Sequence, residues 1–211
     1  MSRDNSHGES ATPSKHIIVE NHVVGIESVS IKTRHEISVL AYDFAKSSVE
    51  DCRRYREFCD KAKDVQEKMG HLLNEMQSSV ACFVFCVICL EAYINTYAGD
   101  RLSELIWEKL ELRLRLEDKW IVVPELALRK TFETDKEPYK SLKWLVDQRN
   151  FIVHYKGKFS EPEMNDRLGT ATDRIFNQFT LEKAERAFQL VKDMIKSVHS
   201  FDDSKAPDWL A

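Results

Sequence analysis

The stretch LLNEMQSSVACFVFCVICLEAYINTY, residues Leu72–Tyr97, decides the fold. It contains no Gly or Pro, and its middle, from Val80 to Leu90, is apolar on every face of a helix. Such a helix is stable only when other elements bury most of its surface. The stretch is therefore predicted to be the central core helix, and its apolar run is too short to span a bilayer.

Helical periodicity continues on both sides of this core helix. Gly70 is expected to end the helix before it, Pro124 to lie early in a short element, and Thr180 to cap the last helix. Residues 155–179 are polar and are predicted to be irregular. The fold class is all-α, an antiparallel up-and-down bundle of four main helices plus a short helical element. The long predicted helices are 33–69, 72–97, 101–117, 139–150 and a last one that follows Thr180.

The chain divides into one helical domain with two flanking segments. Residues 1–34 are predicted to form a flexible or extended arm, in which the β-branched alternation of residues 16–32 suggests a short strand. The helical domain covers residues 35–201. Residues 202–211 are predicted to form a loose C-terminal tail, although Trp209 and Leu210 could dock on something.

The overall charge is mildly acidic but unevenly distributed. The formal net charge is −4, and between Arg129 and Lys158 eight basic residues oppose four acidic ones, so that this segment is net +4 and the remainder −8. The chain is therefore not a general polyanion binder, and any affinity for RNA would come from this segment. A solvated surface of mixed charge is the alternative interpretation.

The cysteines and the polar first residues indicate a reducing compartment. An odd cysteine count and the lack of an apolar signal segment in residues 1–15 predict a soluble, cytoplasmic protein without membrane association. Cys82, Cys86 and Cys89 lie at i, i+4 and i+7 spacing, where they could bind a metal or pack as small apolar groups. The apolar neighbours and the lack of a fourth ligand favour packing, so that no metal or cofactor is predicted.

The residues most suited to chemistry lie in the run RNFIVH, Arg149–His154. Arg149 can hold a phosphate through two N–H groups, Asn150 can orient an oxygen, and His154 can move a proton at neutral pH. RNA carries its own nucleophile, the 2′-hydroxyl, so that this set would need no metal. A five-residue step separates two helical side chains by about 140°, so Arg149 and His154 could converge only if the helix ends between them or a second copy completes the site.

The chain resembles the HEPN superfamily over residues 35–200. The resemblance rests on LVDQRNFIVHY, with its Arg, following polar residue and His, and on the preceding segments CLEAYINTYAG, LEDKWIVVPEL and EPYKSLKWLVDQRN. It implies a helical bundle that forms a homodimer, with the Arg and His of both copies lining one cleft. Many members are metal-independent endoribonucleases of toxin, defence or RNA-processing systems. Others are non-catalytic modules that bind a partner protein or a nucleotide.

The resemblance also implies residue roles. Arg149 would stabilise the phosphorane-like transition state, His154 would be general base or acid, and Asn150 would position the scissile group. Glu91 matches an acid that can contact this cluster, and Asn95 lies one turn on; a polar pair that ties helices together is the alternative for both. The candidate RNA-binding residues are Lys143, Lys156 and Lys158. RNA is the expected ligand, and an antitoxin or other regulatory protein is a further expected partner.

One position departs from a toxin subset of the family. That subset carries a Tyr two residues after the His, whereas here Tyr155 follows His154 directly and Lys156 occupies the second position. This departure argues against the subset whose Tyr is modified by a nucleotidyltransferase antitoxin. Two functions stay open: an RNA-cleaving homodimer and a non-catalytic helical module that binds a partner protein or nucleotide.

Overall fold

The computed structural model describes residues 23–154, 162–165, 167–168, 170–172 and 175–210. Within these ranges the chain is helical apart from one short β-hairpin and a closing 3-10 turn, Asp208–Leu210, so that the predicted all-α class is confirmed. The strands are β1 (Glu163–Asn165) and β2 (Thr170–Thr172). The helices are α1 (Val23–Lys61), α2 (Val65–Arg101), α3 (Glu104–Glu111), α4 (Leu116–Leu128), α5 (Tyr139–Val153), α6 (Ile175–Gln178) and α7 (Leu181–Ser200).

Helix α1 begins earlier than the sequence pattern suggested. Residues 23–32 are helical, whereas their β-branched alternation predicted a strand or an extended arm. Extending an existing helix adds one hydrogen bond for each residue ordered, without a new nucleation cost, so a weak local β preference is overridden. The prediction for residues 1–22 lies outside the described residues.

The break between α1 and α2 lies at Asp64 rather than at Gly70, so that the predicted break was wrong. The side chain of Asp64 accepts a hydrogen bond from the Glu67 backbone N–H at 2.8 Å and caps α2. Gly70 lies inside the second turn, where nothing lies within 4 Å of the position its Cβ would take. A well-made N-cap is worth about 1 kcal/mol, which is similar to the cost of one Gly inside a helix.

The segment predicted as one helix at 101–117 is divided into two elements. Helix α2 continues to Arg101, α3 ends at Glu111, and α4 starts at Leu116. The backbone N–H groups of Arg113 and Leu114 both bond to the Leu110 carbonyl, which closes α3. Pro124 lies inside α4 rather than early in a helix, and it is buried. Its burial offsets part of the cost of the missing N–H.

The region 155–179 contains regular structure that its polar sequence did not predict. Strands β1 and β2 pair antiparallel, with Met164 opposite Ala171, and α6 follows. Thr180 is the N-cap residue of α7, as predicted, but its side chain makes no capping bond. Instead, the buried carboxylate of Glu75 accepts the Leu181 N–H at 3.0 Å. A residue of α2 therefore caps α7.

Helix α2 lies at the centre of the bundle. It packs on every other helix, most extensively on α1 and α7. The contacts of Ser79 with Thr180 and of Tyr93 with His199 show that α7 runs parallel to α2. Helix α1, joined to α2 by a short turn, runs antiparallel to both, as expected for an up-and-down bundle.

By length and composition α2 could cross a membrane, which the apolar run Val80–Leu90 alone could not. It contains an 18-residue window with a mean hydropathy of 1.8, and 56% of that window is buried inside the protein. A mostly buried apolar helix is what the core of a soluble protein contains. Among the described residues α2 is the one helix of this kind, and its burial is compatible with a soluble protein.

The C-terminal tail is docked on the bundle. Leu210 is only 3% exposed, and its carbonyl accepts a hydrogen bond from the Tyr42 hydroxyl at 3.4 Å. The Trp209 ring packs against the rings of Tyr42 and Tyr93. The expectation of a loose tail was therefore wrong for residues 202–210, whereas the alternative that Trp209 and Leu210 dock is confirmed.

Candidate functional site at the end of helix α5

The predicted site residues Arg149, Asn150 and His154 occupy the last turn of α5. The Arg149 guanidinium donates to the Asn150 side-chain oxygen at 3.2 Å. The His154 backbone N–H bonds to the Asn150 carbonyl at 2.9 Å, and His154 is the C-cap residue. The structure therefore brings Arg149 and Asn150 into contact and places His154 one turn further on.

The helix does not end between Arg149 and His154. Because α5 continues to Val153, the five-residue step leaves the two side chains about 140° apart around the axis. Arg149 lies in the same sector as Leu142 and Leu145, which are 0% exposed, and it is half-buried at the helix end. His154 is exposed. In one copy the guanidinium and the imidazole thus leave the helix on different sides.

His154 shares its side of α5 with charged residues. Lys143 and Asp147 are exposed, and each lies within about 20° of His154 around the helix axis. Among the described residues no side-chain hydrogen bond reaches the His154 imidazole. Lys143 is thus the predicted RNA-binding residue that shares its face, whereas Lys156, Lys158 and Tyr155 lie outside the described residues.

Two exposed apolar side chains lie on the same helix turn as the His154 imidazole. Phe151 is 42% exposed and Val153 56% exposed, and both neighbour His154 on the last turn. On its inner side, the Phe151 ring lies 6.0 Å from the ring of Phe179, which in turn lies 5.7 Å from Phe83 of α2. Packing through Phe179 therefore positions the end of α5 against α2.

Glu91 and Asn95 lie elsewhere on the bundle in a single copy. Because Phe179 bridges Phe83 and Phe151, the end of α5 is level with Phe83, eight residues or about 12 Å of helix before Glu91. The Glu91 carboxylate instead pairs with the Lys119 ammonium of α4 at 3.0 Å. The side chain of Lys119 is only 4% exposed, so this pair ties α2 to α4.

Asn95 has an unusual environment for an amide. Its side-chain oxygen is buried and accepts no hydrogen bond. The described contacts therefore do not join Asn95 to Arg149 or His154, and the polar-pair interpretation suits Glu91 within one copy. A contact between either residue and the cluster would require a second copy.

The cysteines behave as apolar groups. Cys82, Cys86 and Cys89 are 0% exposed, and the sulfurs of Cys82 and Cys86 lie 3.8 Å apart. Burial raises the pKa of the Cys86 thiol, and burial raises the pKa of Cys89 to about 12. Both thiols therefore keep their protons at neutral pH, which removes the thiolate that a metal needs. Within the described ranges no group of three His, Cys, Asp or Glu side chains could hold a metal ion.

A buried ion network that the sequence did not predict surrounds Glu75. This carboxylate is 1% exposed, and it accepts hydrogen bonds from Arg56 at 2.7 and 3.0 Å and from Arg167 at 2.6 Å. Arg56 also bonds to Glu182 at 2.6 Å and holds the pKa of that carboxyl down at about 2. An isolated Glu in an apolar helix is the sequence signal, since a buried charge requires partners. The network joins α1, α2 and α7 to the hairpin region.

A small cavity of about 120 Å³ opens beside this network. Arg167 lines it, but its guanidinium is already paired with Glu75, so the cavity offers no free cation. The remaining lining residues are Leu72, Asn165, Phe176, Asn177 and Thr180. This cavity is small beside the few hundred Å³ that ligand sites usually occupy.

A second histidine site also went unpredicted, because its members are far apart in sequence. His199 near the end of α7 contacts the Tyr93 hydroxyl through Nε2 and the Ser204 hydroxyl through Nδ1 at 2.5 Å. The Ser204 hydroxyl in turn donates to Asp202. In a hydrolase triad the serine donates its proton to the histidine, whereas here Ser204 donates to Asp202. These hydrogen bonds therefore do not activate Ser204 as a nucleophile.

Comparison with known proteins does not test the resemblance to the HEPN superfamily. No protein-family model matches the chain, and no curated protein or solved structure is similar to it at a significant level.

Proposed function

We propose that this protein is a homodimeric endoribonuclease of the HEPN type, with a site composed of Arg149, Asn150 and His154. The observation that carries the proposal is the end of α5, where an exposed imidazole follows an Arg–Asn pair bonded at 3.2 Å and has no side-chain partner among the described residues. A cation, an amide and a titratable ring are the groups that phosphodiester transfer requires. The resemblance of the motif to the HEPN superfamily points to the same chemistry.

The proposed reaction uses the RNA 2′-hydroxyl as nucleophile. His154 accepts the 2′ proton while the oxygen attacks the adjacent phosphorus, and the bond to the 5′ oxygen breaks. A protonated imidazole returns a proton to the 5′ oxygen, which leaves a 2′,3′-cyclic phosphate and a 5′-hydroxyl end. Arg149 neutralises the charge that builds up on the non-bridging oxygens. Asn150 keeps the guanidinium oriented through its hydrogen bond.

The geometry of α5 supports a site shared between two copies. Since Arg149 and His154 leave the helix about 140° apart, one copy does not present both groups to the same phosphate. Pairing Arg149 with His154 of the partner subunit would bring them together. The exposed Phe151 and Val153 beside His154 are apolar side chains that such a contact would cover. Charged Lys143, on the same side of the helix, would contact the RNA backbone.

The first experiment compares RNA cleavage by the wild-type protein with that by His154→Ala and Arg149→Ala, with EDTA present. We expect the wild type to cut and both variants to lose cleavage, with cyclic-phosphate ends on the products. His35→Ala is the matched control, since His35 is an exposed histidine on α1, far from α5 in sequence. RNA that stays intact with purified wild-type dimer from pH 6 to 8 would contradict the ribonuclease proposal.

A mixing experiment tests the shared site. Combining equal amounts of His154→Ala and Arg149→Ala protein should restore about a quarter of the wild-type rate, because half of the dimers are mixed and each mixed dimer carries one intact Arg–His pair. No recovery after verified subunit exchange would show that each copy needs its own Arg and His.

A non-catalytic module is the second candidate, and the contacts of the polar residues favour it. Glu91 pairs with a buried lysine, and Arg149 bonds to its neighbour, so both have structural roles without substrate. The net charge of −4 also limits affinity for RNA. In that case Arg149→Ala would lower thermal stability or weaken the dimer, and the protein would bind a partner protein or nucleotide without cleaving RNA.

A further inference from the structure

The imidazole of His199 is one of the groups that fasten the tail after α7 to the bundle. His199 connects Tyr93 of α2 on one side with Ser204 and, through it, Asp202 on the other. The Ser204 backbone N–H also bonds to the His199 carbonyl at 3.1 Å. The tail is thereby folded back onto the helix end that it leaves.

Further contacts hold residues 201–210 in place. The Lys130 ammonium donates to the Phe201 carbonyl at 2.5 Å, and Arg101 pairs with Asp202 at 2.9 Å. At the far end, Trp209 lies against Tyr42, with ring centroids 5.1 Å apart. Beneath it, Tyr42 also contacts Phe188 at 4.9 Å. The docked tail therefore covers the rings of Tyr42 and Tyr93, which we call the aromatic floor.

A neutral His199 ring satisfies every group in this chain of hydrogen bonds. The single proton of the Ser204 hydroxyl is given to Asp202, so Ser204 accepts the proton on Nδ1 of His199. In the neutral ring Nε2 carries no proton and can accept from the Tyr93 hydroxyl. Protonation places a second donor at Nε2, and the Tyr93 hydroxyl proton loses its acceptor. Tyr93 is 6% exposed, so water cannot readily replace that acceptor.

Some charges around His199 raise its pKa and others lower it. From α2, Arg101 disfavours a cation, and Tyr93 and Tyr97 are neutral because burial raises their pKa values. From the tail, the Asp202 carboxylate favours a cation, as does the carbonyl end of α7. The Lys130 ammonium, from the segment after α4, donates to the nearby Phe201 carbonyl. The outcome is a lowered pKa for His199, because burial of the ring outweighs the favourable charges.

We propose that residues 201–210 form a latch that stays closed while His199 is neutral and opens when His199 is protonated, which uncovers the aromatic floor. The other ionisable group in the chain of hydrogen bonds does not titrate in the same range. Burial alone would raise the pKa of Asp202, but hydrogen bonds from Ser204 and Arg101 bring it down to about 2. Asp202 therefore stays ionised at mildly acidic pH, and His199 is the group that changes charge.

Hydrogen exchange of the full-length protein tests the latch. We expect the amides of residues 202–210 to lose protection as the pH falls from 7.5 to 5, after correction for intrinsic exchange. The loss should approach about tenfold per pH unit between the ordinary histidine pKa and the lower value in the closed latch, since opening takes up one proton. Amides in the middle of α2 should stay far better protected than the tail at every pH in this range, because they exchange only on global unfolding.

Three variants make the test specific. His199→Gln keeps a neutral acceptor and should abolish the pH response, whereas His154→Gln, at the end of α5, should leave it unchanged. Tyr93→Phe removes the hydroxyl that conflicts with a protonated ring, so the His199 pKa measured by NMR should rise. Protection of the wild-type tail that does not vary from pH 7.5 to 5 would overturn the latch, as would a pH response that survives in His199→Gln.

Discussion

The C-terminal ends of α5 and α7 each carry a histidine, and the two sites differ in what binds the ring. His154 is exposed, and among the described residues its imidazole has no hydrogen-bond partner. His199 is half-buried, and both of its ring nitrogens are bound. The bonds of His199 tie the tail to the bundle, whereas the exposed His154 ring is accessible to a ligand. The contrast is one between an accessible ring at a helix end and a ring that holds two elements together.

Removing each ring should separate the two roles, and this is the largest expected effect. His154→Ala should lower the RNA cleavage rate by about 10²–10⁴-fold and leave the melting temperature nearly unchanged. His199→Ala should lower the melting temperature and leave cleavage by the folded protein intact. Cleavage kinetics and thermal unfolding of the same preparations measure both. Equal effects of the two substitutions on cleavage would break the comparison.

The N-terminal end of α7 extends the comparison, because the buried Glu75 carboxylate holds that end as His199 holds the other. Glu75→Ala should destabilise the protein by about 3–5 kcal/mol, since it removes the buried carboxylate that binds Arg56 and Arg167 and uncaps α7. Glu185→Ala is the control, because its pair with Arg53 is about half exposed and should be worth less than about 1 kcal/mol. Chemical denaturation measures both. A Glu75→Ala cost as small as the control's would show that α7 is held by apolar packing alone.

The pH dependence of global stability is the smallest expected effect. Because the folded pKa of His199 is lowered, the unfolded chain binds a proton more readily, and stability should fall as the pH drops below about 6.5. The slope should not exceed about 1.4 kcal/mol per pH unit for this one group. Denaturation of wild type and His199→Gln between pH 5 and 7.5 measures it. Identical slopes in the two proteins would exclude His199 as the source.

Local patterns predicted those features that depend on neighbouring residues. The apolar run Val80–Leu90 predicted the buried core helix, and Thr180 predicted the start of α7. The interior position of Pro124 was missed because burial outweighs local propensity there. The split of residues 101–117 was missed because no Gly or Pro marks it. Gly70 was misread as a break although Asp64, followed three residues later by Glu67, is a helix-start signature that the sequence contains.

The candidate site was predicted in part. The residue types at Arg149, Asn150 and His154 indicated phosphodiester chemistry from spacing and resemblance alone. The structure adds that α5 continues past Arg149 to Val153, so that the two side chains leave the helix about 140° apart. The site shared between two copies is a proposal that rests on this angle. It also places Glu91 with Lys119 on another part of the bundle.

By itself the amino-acid sequence determined the all-α class and the central position of α2, whereas the site at the end of α5 stays a prediction. Apolar periodicity and side-chain type are properties of a short stretch of chain, so they can be read without the fold. Only the tertiary structure decided which polar groups meet. Tyr93 and His199 are more than 100 residues apart, as are Glu75 and the start of α7, and it is the parallel packing of α7 on α2 that brings both pairs together.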